Sequence, residues 1–397
     1  MLTIRHILSL KMIERNVQKM KRLISFALCI ALGLPVFGTG KASAQDIFVS
    51  AKGAVVMEYH TGKVLYDKNC KDRLPMASTT KIMSALLTAE SGGLDERFTV
   101  DSEAIKVEGS SMGLQEGDTV TKRILMYGML LPSGNDAANA AAVAVAGSVP
   151  NFVQLMNDRA KAIGMRDTHF VTSSGLDDDT DEHYSTAYDM ALLAREAIDN
   201  GIFREICGTA RAKVCFGDPP YDRWLVNTNK LLTSCDGVIG VKTGFTDKAG
   251  RCLVSACERN GTTLICVTLN DRSDWADHKA LYDRCFGLCE SVSLKTDDLS
   301  VNVVGGESES VGCYSPEVKI NLPIGEGDSV TRRVLIKPFV YAPTPQKEQV
   351  GCVRYYYGGR LIAESPVLTK LSVTAQSGAN TSVAEYYFEK IKGIIAG

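Results

Sequence analysis

The tripeptide Arg259-Asn260-Gly261 separates two apolar, β-branched runs at 251–258 and 262–269. Asn-Gly is the pair that a tight hairpin favours, because both central positions need a positive φ. The two runs are therefore expected to pair antiparallel, with 238–243 as a further strand ahead of them. A second hairpin is expected near the start of the chain, where His60-Thr61-Gly62 joins strand-like runs at 53–59 and 63–66. Between the hairpins the apolar period lengthens: Ile82, Met83, Leu86 and Leu87 share one helical face, and Gly92-Gly93 stops it. Further helical stretches end at Leu131-Pro132-Ser133-Gly134-Asn135-Asp136, run from 137 to 146, and run from 151 to a stop at Gly164. Thr186-x-x-Asp189 then opens a helix like a capping box. Strands at both ends with helices between them predict an α+β domain, an antiparallel sheet flanked by helices and closed by strands from both of its termini.

Beyond Glu290 the character changes. To about Val373 the chain alternates in Gly- and Pro-bounded runs such as 334–341 and 351–357, which predicts a small all-β domain. Residues 374–381 read as a polar linker, and helical spacing returns over 382–397, with Val383, Tyr387, Ile391, Ile394 and Ile395 opposite Glu385, Glu389 and Lys392. Such an amphipathic tail fits a membrane surface or the β domain, and its near-neutral polar face is less basic than that of most interfacial helices. At the other end Lys19, Lys21 and Arg22 precede an apolar run over 23–36 and then Ala42-Ser43-Ala44, the order of a secretory signal peptide. That run is shorter than the roughly 20 residues a membrane span needs. The expected organisation is a signal peptide over 1–44, a mixed domain over 45–290, a β-rich domain over 291–375, and a linker with a tail helix over 376–397. The protein is thus expected to be exported.

Composition narrows the function classes. With a net charge of −2 and no basic block, the 397-residue chain offers no electrostatic case for nucleic acid. One of the 12 cysteines, Cys29, falls in the expected signal peptide, so an odd number remains and at least one is unpaired. Cys252, Cys257 and Cys266 sit in strand runs as small hydrophobes. Cys207/Cys215 and Cys285/Cys289 lack zinc spacing, so no metal or other cofactor is expected; the pairing of the cysteines stays open.

Three short stretches could carry chemistry. Ser78 and Lys81 stand three residues apart at a helix start, which places amine and hydroxyl on one face. They are either a cap and a solvated lysine, or a nucleophile and its base. A serine hydroxyl attacks only when a base takes its proton, and lysine serves only if burial or a second cation lowers its pKa. Ser133-Gly134-Asn135 lies at a break between helices, either an ordinary turn or two side chains turned into a cleft. Lys242-Thr243-Gly244 ends a strand, where Lys242 could be the second cation, Thr243 a hydroxyl and Gly244 a point of close approach. Singly, each is ordinary: Ser-x-x-Lys arises about once or twice by chance in a chain of this length.

Together, in this order, they form the Ser-x-x-Lys, Ser-x-Asn and Lys-Thr-Gly set of penicillin-binding proteins and β-lactamases. The chain resembles in particular the low-molecular-mass penicillin-binding proteins that are D-alanyl-D-alanine carboxypeptidases. The resemblance extends to Leu131-Pro132-Ser133-Gly134-Asn135-Asp136-Ala137-Ala138, His183-Tyr184-Ser185-Thr186-Ala187-Tyr188-Asp189 and Lys242-Thr243-Gly244-Phe245-Thr246-Asp247-Lys248-Ala249-Gly250, and covers about 46–290 strongly. It implies Ser78 as acylated nucleophile, Lys81 as base, and Ser133, Asn135 and Lys242 in a proton and hydrogen-bond network. It implies an oxyanion hole from the Ser78 and Phe245 N–H groups, Thr243 and Gly244 against the substrate, and Arg272 near its carboxylate. The implied substrate is the peptidoglycan pentapeptide stem ending in D-Ala-D-Ala, with β-lactams as inhibitors and the outer face of the cytoplasmic membrane as the place of work. Thr172-Ser173-Ser174-Gly175-Leu176 departs from the family's usual Asn-Pro in this stretch. A β-lactamase is disfavoured because no Glu-x-x-Leu-Asn occurs between Ser133 and Lys242; an inactive wall-binding scaffold is the other alternative.

Overall fold

A computed structural model describes residues 47–177 and 180–376. The expected signal peptide and the amphipathic tail lie outside the described residues. In chain order the first strands are β1 (Gly53–Glu58), β2 (Val64–Lys68), β3 (Arg97–Thr99), β4 (Thr119–Thr121), β5 (Arg211–Phe216), β6 (Tyr221–Val226), β7 (Val238–Thr246), β8 (Gly250–Arg259) and β9 (Thr262–Leu269). The helices are α1 (Lys81–Glu90), α2 (Lys122–Leu130), α3 (Asn135–Ala146), α4 (Val149–Ile163), α5 (Ala187–Asp199), α6 (Gly201–Cys207), α7 (Leu231–Ser234) and α8 (Asp274–Phe286).

The main sheet runs β2-β1-β9-β8-β7, antiparallel throughout. Asn260 and Gly261 take φ values of 51° and 77° at the β8–β9 turn, which is why that pair of residues is there. β1 pairs with β9 from Gly53↔Leu269 to Glu58↔Leu264, so the first strand of the chain closes the sheet beside the last. Every residue of β9 is buried, because α5 and α8 both pack on it. α1 is buried along nearly its whole length, Lys81 included, among α2, α3, α4 and α5. A helix so enclosed can bring a polar side chain to the centre of the molecule.

The capping residue expected at Thr186 accepts a hydrogen bond from the Asp189 N–H at 3.0 Å. Several elements had not been anticipated, the β5–β6 ribbon and α8 among them. The β5–β6 ribbon follows a period of two, with Val214, Phe216 and Leu225 turned inward. α8 carries His278, Leu281, Tyr282 and Cys285 on one buried stripe. Inside that stripe Ser255 Oγ lies 2.7 Å from His278 Nδ1 and 2.5 Å from the Tyr282 hydroxyl, pinning α8 to β8.

The second sheet holds β10 (Cys289–Val304), β11 (Ser310–Pro323), β12 (Thr331–Ile336), β13 (Phe339–Tyr341), β14 (Gln349–Tyr357) and β15 (Arg360–Thr369), in the order β12-β14-β15-β11-β10-β13. It has its own core, including Leu294, Leu322, Val353 and Val367. Arg360 joins it to the first part of the chain, pairing with Asp199 and lying 4.7 Å over the Tyr59 ring. The cysteines from Cys70 to Cys352 are free thiols, and Cys252, Cys257 and Cys266 are buried as expected. Among the described residues, no helix is long and apolar enough to cross a membrane.

Candidate active site

Ser78 sits in a 3-10 turn, Ala77–Thr80, that leads directly into α1. The turn is fixed by the Thr79 hydroxyl and N–H, both donating to the Met76 carbonyl at 2.6 and 3.2 Å. Ala77 is held at φ 48°, a left-handed conformation that costs a non-glycine residue about 1–2 kcal/mol. Around it Met76, Ala77, Thr79, Thr80 and Lys81 are buried while Ser78 stays partly open. The strain therefore turns one hydroxyl outward from a dry helix end.

Lys81 Nζ lies 2.8 Å from Ser78 Oγ, 2.7 Å from Asn135 Oδ1 and 2.7 Å from the Ser174 carbonyl oxygen. Two of these neighbours can only accept, and the third can donate as well. An ammonium satisfies this set by donating to all three oxygens, and a neutral amine satisfies it with two N–H donors on Asn135 and Ser174 and its lone pair toward the serine O–H; desolvation favours the neutral form. Burial pushes the Lys81 pKa well below the usual lysine value; the Lys242 cation adds to the shift and the Asp136 carboxylate opposes it. Lys242 is also buried, donates to the Thr243 carbonyl at 2.8 Å, and is brought down to about 7 by desolvation.

Asn135 opens α3, where its side chain also donates to the Glu108 carbonyl at 2.6 Å. The next residue, Asp136, accepts from the backbone N–H groups of Met112, Gly113 and Leu114 at 2.9–3.0 Å and from Ser111 Oγ at 2.6 Å. That carboxylate ties the 110–114 loop to the helix start. Ser133, at φ 69° between α2 and α3, is turned into the same region.

A strap at 171–175 covers the amine from the other side. Ser84 Oγ donates to the Ser173 carbonyl at 2.5 Å, and Ser173 Oγ donates to Asn139 Oδ1 at 2.6 Å. Two glycines permit the close packing. A Cβ on Gly175 would fall 2.1 Å from the Ala77 carbonyl oxygen, and one on Gly244 would fall 3.0 Å from Met76 O and Thr79 N. β7 thus runs directly along the serine turn.

The resulting cleft, about 310 Å³, is lined by Ser78, Ser110, Ser133, Thr228, Thr243, Gly244, Phe245, Arg251, Asp274 and Trp275. Ser78, Lys81 and Asn135 are joined by direct hydrogen bonds; Ser133, Thr243, Gly244 and Phe245 line the cleft; Lys242 is buried in β7 directly before the lining residue Thr243. Arg272 is exposed in the connection between β9 and α8 and is not among the lining residues. The cation in the lining is Arg251, paired with Phe245 across β7–β8, gripped by Asp274 at 2.8–3.0 Å and lying 5.6 Å over the Trp275 ring. Sequence reasoning had also passed over Thr228, whose hydroxyl is 2.7 Å from that of Thr243, and the Ser174 carbonyl. A larger hollow of about 590 Å³, between α4 and residues 164–169, contains none of the expected site residues.

The comparisons agree with this geometry. The family model described as D-alanyl-D-alanine carboxypeptidase matches residues 39–273. The chain is 32% identical over 373 residues to D-alanyl-D-alanine carboxypeptidase DacF of Bacillus subtilis (strain 168), covering 88% of this chain and 94% of that one. It is 36% identical over 242 residues to a D-alanyl-D-alanine carboxypeptidase of Streptomyces sp. (strain K15), covering 57% and 82%. Penicillin binding protein 5 from Haemophilus influenzae superposes with a TM-score of 0.59 at 26% identity, over 83% of this chain and 98% of that chain. The chain belongs to the D-alanyl-D-alanine carboxypeptidase family, serine peptidases of the penicillin-binding class.

Proposed function

We propose that Ser78 is the nucleophile that removes the terminal D-alanine from peptidoglycan stems, with Lys81 as its base. The observation that carries this is the Lys81 contact set, two pure acceptors and the Ser78 hydroxyl, around a desolvated amine. Lys81 takes the hydroxyl proton as Ser78 Oγ bonds to the carbonyl carbon of the penultimate D-alanine. The developing oxyanion is met by the N–H groups of Ser78 and Phe245, which the close approach of Gly244 to the serine turn brings to one side of the cleft. Collapse breaks the C–N bond, and the leaving amine takes a proton through the network of Lys81, Ser133, Asn135 and Lys242. Water then hydrolyses the ester on Ser78 and restores the enzyme. A β-lactam acylates the same hydroxyl.

The free carboxylate of the substrate sits against Thr243 and Thr228, with Arg251 as its cation in the place expected of Arg272. Asp274 commits the Nε and Nη2 edge of the guanidinium and so fixes its orientation, leaving the Nη1 end for the ligand. The expected signal peptide, mixed domain, β-rich domain and tail make up an exported enzyme. In this arrangement the β-rich domain acts as a stalk and the tail as a contact with the outer face of the cytoplasmic membrane. Full-length protein found in the soluble fraction and absent from vesicles removes the tail from this reading.

The test of the reaction is mass spectrometry of a pentapeptide stem ending in D-Ala-D-Ala after incubation with the enzyme or its Ser78→Ala variant. Loss of one alanine with the wild type alone supports the reaction and the nucleophile together. An unchanged stem with folded wild-type protein favours the scaffold alternative.

A further inference from the structure

The strap over Lys81 is held at its downstream end by the Ser84, Lys81 and Asn139 contacts and by the packing of Gly175 on Ala77. Its upstream end is held by a residue outside the catalytic set. His183 is 1% exposed. The Val171 N–H donates to its Nδ1 at 3.0 Å, so that nitrogen must carry the lone pair. Nε2 then carries the proton and donates to Thr80 Oγ1 at 2.8 Å. One imidazole thereby links the first residue of the strap to the residue that precedes Lys81.

The surrounding backbone gives this link a rigid base. His169 and Tyr184 exchange backbone hydrogen bonds at 2.9 and 3.1 Å, and Leu74 and Ser185 do so at 2.8 and 3.0 Å. Residues 183–185 therefore lie between the approach to the serine turn and the approach to the strap. The Phe170 ring meets the imidazole edge-on at 6.1 Å. Only a neutral imidazole with its proton on Nε2 satisfies both neighbours, and burial, with a smaller contribution from His169, brings its pKa down to about 4.

We propose that His183 is a positioning residue: it clamps the 171–175 strap over the Lys81 amine and keeps water from it. The inference rests on Lys81 as the base. The strap brings the Ser174 carbonyl to the amine, while the charges that Lys81 feels come from Lys242 on β7 and Asp136 on α3. Asp177, beyond the strap, takes a hydrogen bond from Thr246 Oγ1 at 3.3 Å. With the imidazole gone, Val171 N–H and Thr80 Oγ1 turn to water and the upstream end of the strap lifts. Desolvation is the largest cause of the Lys81 shift, so water reaching the amine makes it more basic. The neutral fraction at a given pH then falls.

The test is the second-order rate of acylation by a fluorescent penicillin across pH 5–10, on the full chain, for wild type, His183→Ala and His183→Gln. The acid limb of the alanine variant is expected to move up by about one pH unit, a tenfold loss on the limb that recovers on the alkaline plateau. The glutamine variant, whose amide can still donate toward Thr80, is expected to fall between. Should His183→Ala fail to fold, Thr80→Val removes the acceptor alone and should move the limb in the same direction. An unmoved limb in a folded variant overturns the inference. A wild-type profile without an acid limb overturns instead the assignment of Lys81 on which it rests.

Discussion

Replacing Gly175 by alanine puts the geometry of the strap to a quantitative test. The residue sits at φ 90°, and a Cβ there would lie 2.1 Å from the Ala77 carbonyl oxygen, 2.5 Å from its carbon and 3.0 Å from the Ser78 nitrogen. Hard-sphere contact requires about 3 Å, so strap and serine turn must separate by roughly 1 Å. Both partners are backbone, and no flexible side chain can yield instead. The Lys81 bond to the Ser174 carbonyl, 2.7 Å in the structure, would then stretch beyond a useful hydrogen bond. A left-handed alanine costs about 1–2 kcal/mol, and a buried hydrogen bond lost without replacement costs about 1–3 kcal/mol. The variant should therefore be destabilised by roughly 2–5 kcal/mol, within what a domain of this kind can survive. Acylation should suffer more, because a 1 Å displacement between nucleophile and base can cost on the order of 10²-fold. A thermal melt and the rate of labelled-penicillin acylation, measured on the same preparation, read the two effects separately. A folded Gly175→Ala protein that melts like the wild type and acylates within about twofold of it would refute the argument.

Two further outcomes are expected. His183 and His278 are buried neutral, brought from 6.5 to about 4 and about 3 by desolvation. Their folded-state pKa values are depressed, so the stability they contribute is complete above pH 6.5 and is lost as pH falls through 4 and then 3. Urea midpoints should drop steeply over that window and more gently in His278→Gln; a midpoint constant from pH 6.5 to 3 contradicts it. Arg251→Leu should raise KM for a stem with a free terminal carboxylate far more than for its amide, whereas Arg272→Leu should leave both alone; equal effects on acid and amide remove Arg251 from the carboxylate position.

The sheet was legible from its turns. Asn260-Gly261 announced the β8–β9 hairpin because the backbone needs two positive φ values there, and no other element competes for that pair. α1 was legible from Ile82, Met83, Leu86 and Leu87, although the stripe understated it, since burial extends around Lys81, Ser84 and Thr88 as well. α8 was harder to see because its buried face includes Asp274, Asp277 and His278, polar residues held by Arg251, the Ser50 N–H and Ser255 respectively, which blur the apolar period. The β5–β6 ribbon alternates plainly in retrospect, but its outward face carries Trp224 and Val226, which fill the polar half of the alternation with apolar residues.

The site was legible where chemistry demands a residue type and hidden where it demands a backbone. The spacing of Ser78 and Lys81 puts both on one helix face, and the Ser-x-Asn and Lys-Thr-Gly stretches that follow in order single the pair out. Arg251 and Arg272 cannot be told apart that way: each is an arginine beside a strand end, and only the pairing of Arg251 with Phe245 across β7–β8 turns one of them into the cleft. The Ser174 carbonyl leaves no trace in residue identity, because any residue could supply it. What the sequence does record is its consequence, a glycine at 175 where the strap must pass within contact distance of Ala77. The departure of Thr172-Ser173-Ser174 from the family's Asn-Pro is accommodated in the same way. Ser173 places its hydroxyl on Asn139 and accepts from the Ser84 hydroxyl at its carbonyl, so this chain holds the strap on α1 and α3 with hydrogen bonds, of which the one to Asn139 depends on the serine side chain.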